Sequence, residues 1–409
     1  MSETTATLIR PLGRAVTVLA FVAGWIVVAV LLWRTTVPSL DLDGFDEHRY
    51  FSERSLERAH DYSQGERVIW LLSTIATIVA LIVLVRRVPR YAGRLGLGRI
   101  GSAIVVGMLM LVTLWFVSLP FGLASLWWQH HWGLGPLDFV AWIVAQRYAL
   151  AVSAVFVMLA IVVVVGLAAR LGRRWWIAAT PFFIGLAALF AFLSGWLFAA
   201  GTHPVRNPPL RADVARLERQ VGVTGTPVRV QKVSDWTEQA NAFAAGFGPS
   251  TNVVLWDTLL DGRFSPGEVN AAVAHELGHV KRRHVLKGLL WFALFALPGA
   301  FVVAELTRRR GGMEDPGNLP YALLVLTVIG LVAAPFENVV SRRYEAEADW
   351  ISLKATRDPA SVERLFKRFE RTSLAEPNPP LWDYVWLENH PTLMQRIAMA
   401  ERYRERSRR

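Results

Sequence analysis

The sequence predicts an α-helical polytopic membrane protein of about seven transmembrane helices, joined to an α+β unit built from two separate polar segments. Three observations carry that reading. Hydrophobic residues make up 53% of the chain, with 17 tryptophans and only 19% charged residues, a balance unlike that of an ordinary soluble domain. Uncharged runs near the ~20 residues that a helix needs to cross a bilayer recur along the chain. Residues 201–285 and 337–409 are too polar to cross, and two spans separate them, so they fall on one side of the membrane.

The apolar runs lie at about 15–33, 68–85, 101–126, 148–169, 175–200, 288–304 and 319–336. The first exceeds the ~7–15-residue core of a secretory signal and ends at Trp33-Arg34 without a small-residue cleavage site, so it reads as an anchor. Segment 34–67, with eight acids against five arginines, is a polar loop in which no chemistry is evident. Residues 1–200 thus form a transmembrane bundle of five helices. In the first polar segment, 201–285, residues 228–233 alternate as a strand does, and Asn252–Trp256 can pair with them. Residues 286–336 hold the sixth and seventh helices. The sixth has a short uncharged core containing Pro298-Gly299, and continuation of the preceding helix into it would supply the missing length. The second polar segment, 337–409, closes the chain.

The net charge of +11 does not point to nucleic acid. Arginines cluster at the ends of apolar runs, as in Arg86-Arg87, Arg170 with Arg173-Arg174, and Arg308-Arg309-Arg310, where they meet membrane lipids and set orientation. A transporter would place ionisable residues inside the spans, and there are almost none. The absence of cysteine excludes disulfides, thiolate metal ligands and a cysteine nucleophile.

The chemistry gathers around His275-Glu276-Leu277-Gly278-His279. On a helix the two histidines share a face and can grip one metal ion, while the intervening glutamate is placed to take the proton of a water. Ser265-Pro266-Gly267-Glu268 reads as a capping box with proline at the first helical position, which supports that helix independently. A third ligand is offered by Glu345, about seventy residues on. Asp349 lies one turn further on the same face, where it can accept a hydrogen bond from the outer nitrogen of a ligand histidine. Glu347 points about 200° away and is expected on a solvated face; His284, about 900° along the helix from His275, is expected on its far side. The donor set predicts one Zn2+ per chain in a zincin-like metalloprotease domain with a hydrolytic role. A purely structural zinc in a non-catalytic membrane protein would instead be closed by four protein ligands.

Beyond this motif the chain resembles the CAAX prenyl protease 1 family of integral-membrane zinc metalloproteases. The stretches that carry the resemblance are Asn241-Ala242-Phe243 through Gly246-Phe247-Gly248-Pro249, Val254 to Leu260, Pro335-Phe336-Glu337-Asn338 through Asp349, Pro379-Pro380-Leu381-Trp382, and His390-Pro391 through Arg396. The resemblance implies that Asn241 lies beside the active site on an edge strand that holds an extended peptide. It also implies that His390 stabilises the oxyanion, that Arg396 sits near the substrate end, and that Glu276 is the general base. It further implies a chamber among the membrane helices and a catalytic domain on the cytosolic face, whereas the arginine-rich loops at 86–100, 170–174 and 305–318 favour the opposite orientation. The expected partners are a peptide or protein substrate, lipidated or not, and membrane lipids; the chain is expected to act as a monomer. A membrane-protein quality-control protease is the alternative role.

Overall fold

The computed structural model describes residues 19–42 and 44–408. Residues 15–18 of the first apolar run lie outside the described residues, and the remainder forms helix α1 (Leu19–Trp33). There follow α2 (Glu53–Arg87), the single turn α3 (Pro89–Ala92), α4 (Gly98–His131), α5 (Phe139–Leu171) and α6 (Trp175–Ala199). The polar region holds β1 (His203–Pro204), α7 (Pro208–Val221), β2 (Val228–Gln231), β3 (Ala242–Ala245), β4 (Asn252–Trp256) and α8 (Pro266–Arg282). Then come α9 (His284–Arg308), α10 (Leu319–Thr356), α11 (Pro359–Ser373), α12 (Leu381–Trp386) and α13 (Leu393–Arg408).

Five helical stretches among the described residues are long and apolar enough to cross a membrane: Glu53–Ala92, Gly98–His131, Phe139–Ala199, His284–Arg308 and Pro316–Thr356. The third contains both α5 and α6, joined by one 3-10 turn at Gly172–Arg174. Their outward faces carry bare aliphatic side chains, such as Val140, Val152 and Val155 on α5, which only lipid can cover favourably. Pro120, Pro181, Pro298 and Pro335 sit inside α4, α6, α9 and α10, a placement tolerated in lipid because neighbouring groups satisfy the freed carbonyls.

The sheet runs β1-β2-β4-β3. The alternation at 228–233 predicts a strand able to pair with 252–256, and β2 does pair with β4, in parallel, with Val228 opposite Val253 and Val230 opposite Leu255. Strand β3 pairs antiparallel with β4 and forms one edge. The buried valines and Leu255 pack against Leu217 of α7, Leu277 of α8, Leu353 of α10, Phe366 of α11 and Ile397 of α13 in one core. The two polar segments therefore meet, as expected from their separation by two spans. Segment 34–67 joins them: Phe51 is buried in that core and Leu40, Leu42 and Phe45 pack on it, a docking that its acidic composition hides.

Two joints decide where the site falls. Helix α8 does not continue into α9, contrary to expectation. Arg283 adopts a left-handed conformation (φ 54°, ψ 43°) that ends one helix and starts the next, and α9 spans 25 residues without help. Helix α10, by contrast, is unbroken for 38 residues, so the division at 336/337 between membrane and polar segment falls inside a single rod.

Candidate metal centre

Helix α8 begins as its sequence predicts. The Ser265 Oγ accepts from the Glu268 amide at 3.4 Å, Glu268 Oε2 accepts from the Ser265 amide at 2.6 Å, and Pro266 fills the first turn. The helix then lies against α10, where Ser352 Oγ donates to the Ala271 carbonyl at 2.7 Å. Gly278 makes the crossing close: a Cβ there would stand 3.2 Å from Ala348 Cα and 3.3 Å from its carbonyl oxygen. This contact brings the His275/His279 face of α8 onto the Glu345/Asp349 face of α10.

The ligand atoms of His275, His279 and Glu345 all lie within 4.8 Å of one another. His275 Nδ1 faces Asp349 Oδ1 at 2.7 Å, and since an ionised carboxylate only accepts, the nitrogen donates. The Nε2 of His275 therefore points inward, 3.0 Å from His279 Nε2 and 3.2 Å from Glu345 Oε2. The Oε2 of Glu345 is buried and makes no directed hydrogen bond, although imidazole nitrogens of His275 and His390 both lie at 3.2 Å. Two nitrogen lone pairs and an orphaned carboxylate oxygen converging on one point call for a cation, and a two-histidine, one-carboxylate set suits zinc. Burial alone would lower the pKa of His275, but the charges and hydrogen bonds of Asp349 and Glu345 outweigh it and raise the value to about 10. A metal at this point takes the place of that proton.

Asp349 is held from the other side by Arg396, whose Nε and Nη2 donate at 2.8 and 2.7 Å, and the guanidinium lies 4.1 Å from the Phe366 ring centroid. Arg396 is thus almost fully covered and grips the partner of a ligand histidine. Glu276 is buried beside the site. His390 reaches it from the loop after α12, with Nε2 3.2 Å from Glu345 Oε2. That loop is pinned by Arg342, which donates to the carbonyls of Tyr384 and Glu388 at 2.6 and 2.5 Å. Asn241 directly precedes β3; its side-chain oxygen accepts from the Ala242 amide at 2.8 Å, and its carbonyl accepts from Trp256.

Two residues depart from the sequence reading. Glu347 is fully buried rather than solvated: Oε1 accepts from the Thr36 amide and hydroxyl at 2.6 and 2.9 Å, and Arg282 and His284 approach at 2.9 and 3.1 Å. The helical rotation was right, in that Glu347 leaves the face of Glu345, but α9 and the chain after α1 occupy the space it enters. His284 is not on the far side of the motif helix, because the break at Arg283 turns it back until its Nδ1 lies 3.0 Å from His279 Nδ1. No sequence signal marks a left-handed arginine.

A cavity of about 1090 Å³ opens beside this cluster, lined by His275, Glu276, His279, Glu345 and His390 on one side and by residues 241–244 along β3. Its other walls are largely apolar and come from the membrane helices, including Trp25 and Trp33 of α1, Trp291 and Phe295 of α9, and Phe336 of α10, with Glu337 and Ser341 of α10 among the polar exceptions.

Residues 204–404 match the model of peptidase family M48. The chain is 27% identical over 276 residues to the uncharacterized metalloprotease YhfN of Bacillus subtilis (strain 168), an alignment covering 64% of each chain. It is 26% identical over 210 residues to a CAAX prenyl protease 1 homolog of Oryza sativa subsp. japonica, covering 48% of each. The match therefore spans less than two thirds of the length of both relatives. Among solved structures, the crystal structure of S. mikatae Ste24p superposes with a TM-score of 0.73 at 17% identity, over 93% of this chain and 96% of that one, a likeness of fold.

Proposed function

From the match of residues 204–404 to the model of peptidase family M48 and from the converging His275, His279 and Glu345, we propose that the chain is a zinc-dependent membrane endopeptidase of that family. When bound, zinc supplies Lewis acidity toward a water and the scissile carbonyl. Glu276 accepts the proton of that water and later delivers it to the leaving amine. His390, whose Nε2 lies 3.2 Å from Glu345 Oε2, stands at the site where it can offer a proton to the developing oxyanion. The outer edge of β3 has no strand partner among the described residues, and Asn241 stands at its start; an extended peptide can add there as a further strand. Arg396 does not line the cavity, so its part in substrate binding runs through Asp349 and His275.

With α5 and α6 taken as separate crossings, the described residues hold six long spans, and the apolar helix α1 (Leu19–Trp33) is assigned as the seventh. The aromatic walls of the cavity favour lipidated or membrane-derived peptides, the chemistry named for the prenyl protease relative. The catalytic side is assigned to the cytosol and the working unit to a monomer.

Purified protein and its Glu276→Gln variant, incubated with matched prenylated and unprenylated peptides, test this reading. Cleavage by the wild type alone supports it, and equal inactivity of both proteins on these peptides and on unfolded membrane proteins refutes it. Lipid-dependent cleavage selects the prenyl substrate; indifferent cleavage of unfolded membrane proteins selects the quality-control role. For sidedness, Arg173→Cys and Arg371→Cys place exposed thiols on opposite sides of a chain that has none. Labelling of the second by an impermeant reagent in intact cells overturns the cytosolic assignment.

A further inference from the structure

The two ligand histidines are supported by different devices. His275 has the carboxylate of Asp349 on its outer nitrogen. His279 has no acid there; its Nδ1 meets the Nδ1 of His284 at 3.0 Å, and the Nε2 of His284 meets Glu347 Oε2 at 3.1 Å. We propose that His284 and Glu347 form a relay that fixes His279 in the tautomer able to bind metal, which makes both of them positioning residues for the reaction. This rests on the reading of His275, His279 and Glu345 as ligands.

The proton arithmetic leaves one arrangement. Glu347 is surrounded by donors and cations, with Thr36 at 2.6 and 2.9 Å, Arg282 at 2.9 Å and Lys287 at 3.6 Å, so it is an acceptor only. The Nε2 of His284 must then carry the proton and donate to it. A neutral imidazole has one N–H, so the Nδ1 of His284 is the acceptor, and the facing Nδ1 of His279 is the donor. The remaining nitrogen of His279, Nε2, is left with a free lone pair aimed at His275 Nε2 and at Glu345 Oε1, 3.4 Å away. Reversing any one proton places a hydrogen on that Nε2 and blocks the metal.

The geometry is held by packing on every side. The left-handed Arg283 turns the chain so that His284 tucks beneath His279, and the His284 ring stacks on Tyr344 at 4.6 Å with 9° between planes. Tyr344 is itself anchored, accepting from Trp291 Nε1 at 2.8 Å and donating to the Leu32 carbonyl at 2.7 Å. Thr36 and Leu32 come from the end of α1 and the chain just after it, so the relay ties the first helix to a ligand of the metal.

Two substitutions separate the relay from mere packing. His284→Phe keeps a ring against Tyr344 and has no acceptor, whereas His284→Asn keeps an acceptor near the Nδ1 position and has no ring. Zinc affinity of the full-length purified protein, measured by competition with a chelator, is the readout, with thermal unfolding of the metal-free protein alongside. The relay predicts a loss of about 10–100-fold in H284F, the usual effect of removing a partner from a ligand histidine, and most of the affinity retained in H284N. Affinity kept in H284F, or lost equally in both variants, overturns it. Failure of the wild type itself to bind zinc removes the ligand reading and the relay together, whereas wild-type binding with an insensitive H284F removes the relay alone.

Discussion

Gly278→Ala tests whether the α8–α10 crossing, and not the ligands alone, sets metal affinity. The added methyl would stand 3.2 Å from Ala348 Cα, 3.3 Å from its carbonyl oxygen and 3.4 Å from Ile351 Cβ, whereas comfortable carbon contacts begin near ~3.5–4.0 Å. The helices must separate by a few tenths of an ångström. For stability the effects oppose each other: alanine gains about 1 kcal/mol over glycine inside a helix, and overpacking a tight core costs about 1–3 kcal/mol. The metal-free protein is therefore expected to change by no more than about 2 kcal/mol. Metal affinity has no such offset. His275 and His279 ride on α8 and Glu345 on α10, and ligand distances tolerate only about ±0.2 Å, so zinc binding should weaken by about tenfold or more. Chelator competition measures the affinity and thermal unfolding of the metal-free chain the stability. Wild-type zinc affinity in Gly278→Ala, with the alanine accommodated, would refute the claim that this contact sets the site.

Glu276→Gln should hold zinc at full occupancy while turnover falls about 10²–10⁴-fold, measured by metal analysis and peptide cleavage; His275→Ala should lose both. Glu347→Ala, which the sequence pattern alone would leave nearly silent, should destabilise by about 3 kcal/mol, because it strands cations gathered around a buried carboxylate; a denaturation midpoint equal to wild type would contradict this. The raised pKa of His275 gives the metal-free protein a stabilising contribution that is full below pH 6.5 and lost as pH rises through about 10. Thermal unfolding should follow that direction without metal and lose the dependence once zinc has displaced the proton.

What the sequence disclosed follows from periodicity. The spacing of His275 with His279 and of Glu345 with Asp349 needs only regular helices, and both helices are regular where these residues lie. Strand pairing between 228–231 and 252–256 was legible because Val228 and Val230 alternate in the first and the second is a short apolar run, Val253-Val254-Leu255. His284 is misplaced by a helix assumed to continue through Arg283, since one left-handed residue redirects everything after it and carries no pattern; Glu347 is misplaced because α9 and the chain after α1 fill the space its face enters. The docking of segment 34–67 was hidden for another reason: its few apolar residues, Phe45 and Phe51 among them, are scattered between acids and make sense only once the core they cover exists.

The unbroken run of α10 has a mechanical consequence. Glu345 lies nine residues beyond Phe336, about 13 Å along the same axis, so a tilt of about 5° pivoting at Phe336 would swing its carboxylate by roughly 1 Å. That is several times the tolerance of a metal–ligand bond. Membrane helices accommodate thicker or thinner bilayers by tilting. On the proposed function, lipid chain length thus becomes a variable of the reaction itself, and turnover in a given membrane a measure of how upright one helix stands.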